Sequence, residues 1–209
     1  ALPTDEPPPP RGPNELPDHW RFRRDSITVS HEVRGVVPYD FDHDGLMDLI
    51  YVGVPGHIVF IRQTRAGVFE VTRRIPVRGL NANRDAIAIA DVMGDAKPEL
   101  ITIVNGRISI WPLDGDNLGT PVELSPGTGN IIAVLIDDFD GNGTKDIVGV
   151  MPDDASPIRV WFTSRDGDKT VIGPQLRFES VPLREAAAVR LPTRNAALLG
   201  LIERPSKRT

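Results

Sequence analysis

One acidic loop occurs three times in this chain, and that repeat constrains the fold more than any other feature. The loop begins at Asp40 and returns at Asp91 and at Asp138, 51 and then 47 residues later. An internal period of this size means an array of similar small units, each burying its apolar face against its neighbours. Before each copy stands a short apolar run: Gly35-Val36-Val37-Pro38-Tyr39, Ala86 to Ala90, and Ile131 to Ile136. A fourth run, Ala186 to Val189, follows at similar spacing. These runs are apolar at successive positions, so they read as strands covered on both faces.

After each acidic loop comes a second strand pattern, Asp48 to Val54, Glu99 to Val104 and Asp146 to Val150. A tight turn then leads into a third, Ile58 to Gln63, Arg107 to Trp111 and Ile158 to Phe162. The Asn105-Gly106 pair between two such runs is a strong hairpin signal. Outer strands fit Val68 to Val77, Pro121 to Leu124 and Val171 to Phe178. Helical repeats of this length would need 3.6-residue periodicity, and none of useful length occurs. The pattern predicts an all-β chain, a β-propeller of four-stranded antiparallel blades. Blades over about 33–80, 84–126 and 130–180 and part of a fourth over 181–209 make an incomplete ring. Residues 1–18, rich in proline, read as an extended arm, and 19–209 as the partial propeller. Trp20 to Val29 alternates like a half-buried strand.

The loops carry the chemistry. The first runs Asp40-Phe41-Asp42-His43-Asp44-Gly45-Leu46-Met47-Asp48, and the third Asp138-Phe139-Asp140-Gly141-Asn142-Gly143-Thr144-Lys145-Asp146. Both set oxygen-bearing side chains at positions 1, 3, 5 and 9 and a glycine at position 6. Calcium takes six to eight oxygen ligands, and such a loop can curl round it with the position-7 carbonyl facing inward. Leu46 and Thr144 would supply those carbonyls. Carboxylates gathered this closely repel one another without a cation between them. The competing reading is that these are plain Asp- and Gly-rich turns; two copies with the same spacing favour calcium. An EF-hand needs a bidentate Glu at position 12 and a helix after it. Here position 12 is Tyr51 or Gly149 and a strand pattern follows.

Asp40 to Pro55 and Asp138 to Val150 resemble the calcium-binding blade motif of integrin α-subunit FG-GAP repeats and of bacterial VCBS repeats. The resemblance extends over roughly residues 30 to 180. It implies a β-propeller, usually seven-bladed, with one calcium between the first two strands of a blade. The expected ligands are Asp40, Asp42, Asp44, Leu46 and Asp48 in the first loop, and Asp138, Asp140, Asn142, Thr144 and Asp146 in the third. The second loop departs from the motif, with Met93 at position 3 and Ala96 at position 6, and is expected to be metal-free or weak. At the fourth equivalent, Arg190 to Asn195 carries no carboxylate and reads as an ordinary turn.

Composition excludes several classes. A net charge of −5 gives no clustered basic excess for nucleic acid. No run of about 18 apolar residues offers a membrane-spanning helix, and with no cysteine there is neither disulfide nor thiolate chemistry. His19, His31, His43 and His57 form no catalytic pair by spacing and read as exposed. Asn142-Gly143-Thr144 matches a glycosylation acceptor, but Asn142 is already wanted as a ligand. Trp111 and Trp161 suit blade packing, with a sugar-stacking platform as the alternative. The expected function is a non-enzymatic, calcium-binding scaffold outside the cytoplasm (secreted, periplasmic or at the cell surface), since calcium sites of this kind fill only where the ion is abundant. Its expected partner is another protein or the remainder of its own propeller. The alternative is a glycan-binding or polysaccharide-lyase propeller. Three blades and a fragment cannot close a ring, so their open ends need covering. A longer polypeptide or a partner subunit would do so, with Trp20 to Val29 a candidate for closing a final blade.

Overall fold

The structure, a computed structural model, describes residues 27–167 and 169–204. Among these residues there are fifteen strands and one 3-10 turn, Arg84–Ala86, and no α-helix. The first sheet is β1 (Glu32–Pro38), β2 (Leu49–Val54), β3 (His57–Arg65) and β4 (Val68–Pro76), neighbours in that order. The second is β5 (Ile87–Ala90), β6 (Glu99–Val104) and β7 (Arg107–Asp114), with β8 (Asn117–Leu118) and β9 (Val122–Leu124) both paired to β7. The third is β10 (Ala133–Asp137), β11 (Asp146–Val150), β12 (Ile158–Asp166) and β13 (Lys169–Phe178). The fourth holds only β14 (Leu183–Val189) and β15 (Leu198–Glu203). Every pairing is antiparallel. The described sheets form no closed ring. The expected arm of residues 1–18 lies outside the described residues, as does most of the Trp20 to Val29 run.

Period-two alternation makes each second strand serve two cores. In β6, Leu100 joins Ile50, Val52, Ile58 and Phe60 of the first sheet. Its neighbour Ile101 points the other way, to Ile131, Val134, Ile147 and Trp161 of the third. From β11, Ile147 enters that second core while Val148 packs with Val160, Leu183 and Leu199 toward the fourth sheet. The sheets therefore follow one another face to face in chain order. On the far face of the first sheet, Ile27 and Val29 cover Tyr51, Val59 and Ile61. Those two residues lie in no strand, but their burial agrees with the alternation read there.

The expectation that each first strand is covered on both faces holds for β5 and β10. Ile87 and Ile89 of β5 pack into the first core and Ala88 and Ala90 into the second, while Val134 and Ile136 of β10 face the second core and Ala133 and Leu135 the third. It needs correction for β1. In β1 only Gly35 is fully buried, and Val33 and Val36 are 42% and 49% exposed. It is β2, β6 and β11 that are buried almost throughout. β1 is the edge strand of the end sheet, with no described sheet against its far face, whereas β5 and β10 are edge strands lying between two sheets and the second strands have neighbours on every side. An apolar run shows that a strand can be buried, but its place in the sheet decides whether it is.

The third and fourth sheets are clasped by charge. Asp137, at the end of β10, is 8% exposed and accepts hydrogen bonds from Arg190, just beyond β14, and from Lys145. Arg190 first, and Lys145 after it, hold the Asp137 carboxyl down at about 2 against the opposing effect of burial. A carboxyl so depressed contributes stability that is present above its ordinary pKa and lost as pH falls toward 2. Replacing Arg190 with Met should therefore lower the urea midpoint at neutral pH and move acid unfolding to higher pH, both read by circular dichroism in EDTA. An unchanged acid limb would show that the clasp contributes nothing.

Candidate metal-binding loops

In each repeat the loop between the first and second strands of a sheet is built round one buried carboxylate at position 9. Asp48 is fully buried, and its two oxygens accept from the Phe41 and Gln63 backbone N–H groups at 3.1 and 2.8 Å. Asp146, also fully buried, accepts from Phe139 and Thr163 at 2.8 and 2.9 Å. Gln63 and Thr163 lie on the third strands, so this side chain ties the loop's start to the sheet beyond it. In the second loop Glu99, 3% exposed, reaches round to the Val92 and Met93 N–H groups at 2.9 and 3.2 Å. Burial pushes all three carboxyls up, and the backbone donors oppose it.

The position-1 carboxylates hold the loop's curl. Asp40 accepts from Gly45 at 3.0 Å, Asp91 from Gly94 and Ala96 at 2.6 and 3.0 Å, and Asp138 from Gly141 and Gly143 at 2.6 and 2.9 Å. Such a curl needs left-handed backbone at positions 4 and 6. His43, Gly94 and Gly141 take the first with φ of 60°, 68° and 81°. Gly45, Ala96 and Gly143 take the second with φ of 88°, 64° and 86°. Ala96 accepts the strain that glycine avoids in the other two loops. Phe41, at position 2, is 4% exposed and meets Phe60 edge-on at 5.5 Å, anchoring the first loop in the core.

Three carboxylates converge in each loop, their nearest oxygens all within 4.8 Å of one another: Asp40, Asp42 and Asp48; Asp91, Asp95 and Glu99; Asp138, Asp140 and Asp146. Of the residues singled out from sequence, positions 1, 3 and 9 of the first and third loops come together. Asp44 and Asn142 stand outside the triads, each accepting from a position-7 N–H, Leu46 at 2.8 Å and Thr144 at 2.7 Å. The Thr144 hydroxyl bonds the Thr163 carbonyl at 3.0 Å. Asp40 Oδ1 is buried without a hydrogen-bond partner. A lone carboxylate oxygen shut away from water among other carboxylates is what a hard cation satisfies.

Sequence reasoning missed two features. The second loop, expected to be metal-free or weak because of Met93 at position 3 and Ala96 at position 6, nonetheless brings its three carboxylates together, with Asp95 at position 5 in place of the one Met93 does not supply. The third-strand donors Gln63 and Thr163 left no sequence signal, because any residue there offers the same backbone N–H. The two described tryptophans pack in the cores: Trp161 is 4% exposed in the second core, and partly buried Trp111, packed against the first, donates to the Thr102 hydroxyl at 2.9 Å.

A chain of antiparallel sheets, three of which carry the same carboxylate-pinned acidic turn between their first and second strands, defines a β-repeat protein. The chain belongs to the FG-GAP-like repeat family, whose model matches residues 40–102 and 91–149. No curated protein matches. Among solved structures, the Photorhabdus luminescens Tc holotoxin pore is 21% identical over 78% of this chain and 8% of that one, with a TM-score of 0.47. No described helix is long and apolar enough to cross a membrane.

The two kinds of carboxylate should separate under mutation. Asp48→Ala strands two buried N–H donors and should cost about 2–3 kcal/mol in EDTA. Asp42→Ala, on the exposed turn, should change stability in EDTA by no more than about 0.5 kcal/mol. Urea unfolding of both variants checks this, and equal losses would contradict it.

Proposed function

We propose that the chain is a calcium-braced, non-catalytic β-propeller segment working outside the cytoplasm as a scaffold for protein contacts. The convergence of three carboxylates in each repeat, together with the orphaned Asp40 oxygen, is the observation that carries this reading. In the first loop Asp40, Asp42 and Asp48 would hold the ion, with Asp44 and the Leu46 carbonyl completing the set. In the third, Asp138, Asp140 and Asp146 would do so with Asn142 and the Thr144 carbonyl. Calcium bound there would neutralise the triad and lock the turn. The second loop, with Met93 in place of a ligand, would bind more weakly. Four sheets stacked in chain order, the first three carrying an acidic loop at the same place, support reading them as blades. The buried tryptophans favour a scaffold over a sugar platform.

Calorimetric titration of the EDTA-stripped protein should show two sites with dissociation constants of roughly 10⁻⁴ to 10⁻³ M. At tenfold excess over that constant each ion should add about 1.4 kcal/mol to stability. Asp42→Ala and Asp140→Ala should each remove one site. Absence of both titration heat and a calcium-dependent melting shift would refute the calcium reading. Calcium-dependent retention on a polysaccharide column would instead favour the glycan-binding alternative.

A further inference from the structure

The first loop differs from the other two in having a cation at its side. Among the described residues, Asp42 is the only carboxylate of the three triads that forms an ion pair, and its partner is the Arg62 guanidinium. Arg62 Nη1 lies 3.9 Å from Asp42 Oδ2, while Nη2 donates to Glu70 Oε1. The Nε of the same side chain is buried without a partner. The guanidinium is thus divided between two carboxylates, one arm to each, and its third kind of donor is used on neither.

Strand pairing puts Arg62 there. It stands opposite Glu70 on β4, and the next residue, Gln63, gives its N–H to Asp48. The residue before it, Ile61, pairs with Leu49, as Trp111 pairs with Leu100 and Trp161 with Ile147. The positions equivalent to Arg62 are therefore Pro112 in the second sheet and Phe162 in the third, and neither carries a charge. Lys145 and Arg190, beside the third loop, are bonded to Asp137, which lies outside that loop's triad.

A guanidinium on a ligand carboxylate opposes any cation the loop takes, because it draws on the same oxygens and repels a divalent ion a few ångströms away. Turned off Asp42, the same guanidinium would have Nε as well as Nη2 to give to Glu70, the two-pronged pair that it lacks now. We propose that Arg62 is a built-in competitor for the first loop, a resident cation that the metal ion must displace from Asp42 onto Glu70. The affinity of this loop is then held below what its four acidic side chains, Asp40, Asp42, Asp44 and Asp48, would otherwise give. The inference rests on the calcium reading above and adds to it that the first loop is restrained in this way and the third is not.

Calorimetric calcium titration tests this in an Asp140→Ala parent, which leaves the first loop without the third loop's site beside it; circular dichroism in EDTA checks that each variant is folded. At low salt Arg62→Gln should lower the dissociation constant about three- to tenfold, and the gain should shrink in about 1 M sodium chloride, where the screening length is about 3 Å. Arg78 follows Val77, which bonds the β2–β3 turn at the other end of the sheet; Arg78→Gln makes an equal change of charge there and should leave the constant within about twofold. Glu70→Gln leaves the guanidinium to Asp42 alone and should weaken binding, more so with Arg62 present than in the Arg62→Gln protein. If Arg62 merely braced Asp42, Arg62→Gln would weaken binding; a constant that rises or stays unchanged overturns the proposal and leaves the calcium reading intact. An equal gain from Arg78→Gln, or equal effects of Glu70→Gln in the two backgrounds, also overturns it. Binding heat absent from the parent and present in Arg62→Gln supports it, and heat absent from both overturns it together with the calcium reading of this loop.

Discussion

A buried carboxylate at the last position of each acidic loop is the contact on which the rest of this structure hangs. Asp48 and Asp146 spend both oxygens on backbone N–H groups, one at the loop's start and one on the third strand. That single side chain fixes the path of the first strand relative to the second and the third, and with it the register of the sheet. A fully buried carboxylate is costly unless it is hydrogen-bonded, and these are. The same burial leaves the neighbouring carboxylates crowded on the loop's inner side, where a bound cation would relieve their repulsion. Fastening the fold and preparing an ion site are thus two consequences of one arrangement.

The loops also stand where sheets meet. The Asp138 carbonyl accepts from the Ala197 N–H at 2.7 Å, tying the third loop to the segment that enters β15. Beside it, Arg190 closes on Asp137 from the fourth sheet. A side chain at Gly94 would collide with the Thr170 hydroxyl, so the second loop is pressed against the β12–β13 hairpin of the third sheet. An ion bound in a loop, as proposed above, would therefore act on the next sheet directly.

Much of this was legible because the code repeats. Three loops with carboxylates at fixed spacing, each followed by strand, turn and strand, named the strands and placed Asp40, Asp42, Asp48, Asp138, Asp140 and Asp146 in candidate sites. What the sequence misjudged were matters of position. Val36 looks as buried as Ile50 and Val52 in a linear pattern, yet it lies on the edge strand of the end sheet and is exposed. How the three carboxylates of the second loop would meet was also not legible, since Asp95 takes the place that Asp42 and Asp140 hold in the other loops.

Local chemistry was written in the chain. Alternation set the strands, Asn105-Gly106 set a hairpin, and glycine at position 6 allowed the left-handed turn. These depend on a few consecutive residues and elementary sterics, so they can be read from the sequence alone. Which oxygens meet, and which strands lie between two sheets, were decided only by the packing of segments far apart in sequence. Backbone donors such as the Gln63 and Thr163 N–H groups are the same whatever the residue, and only the fold determines what they face.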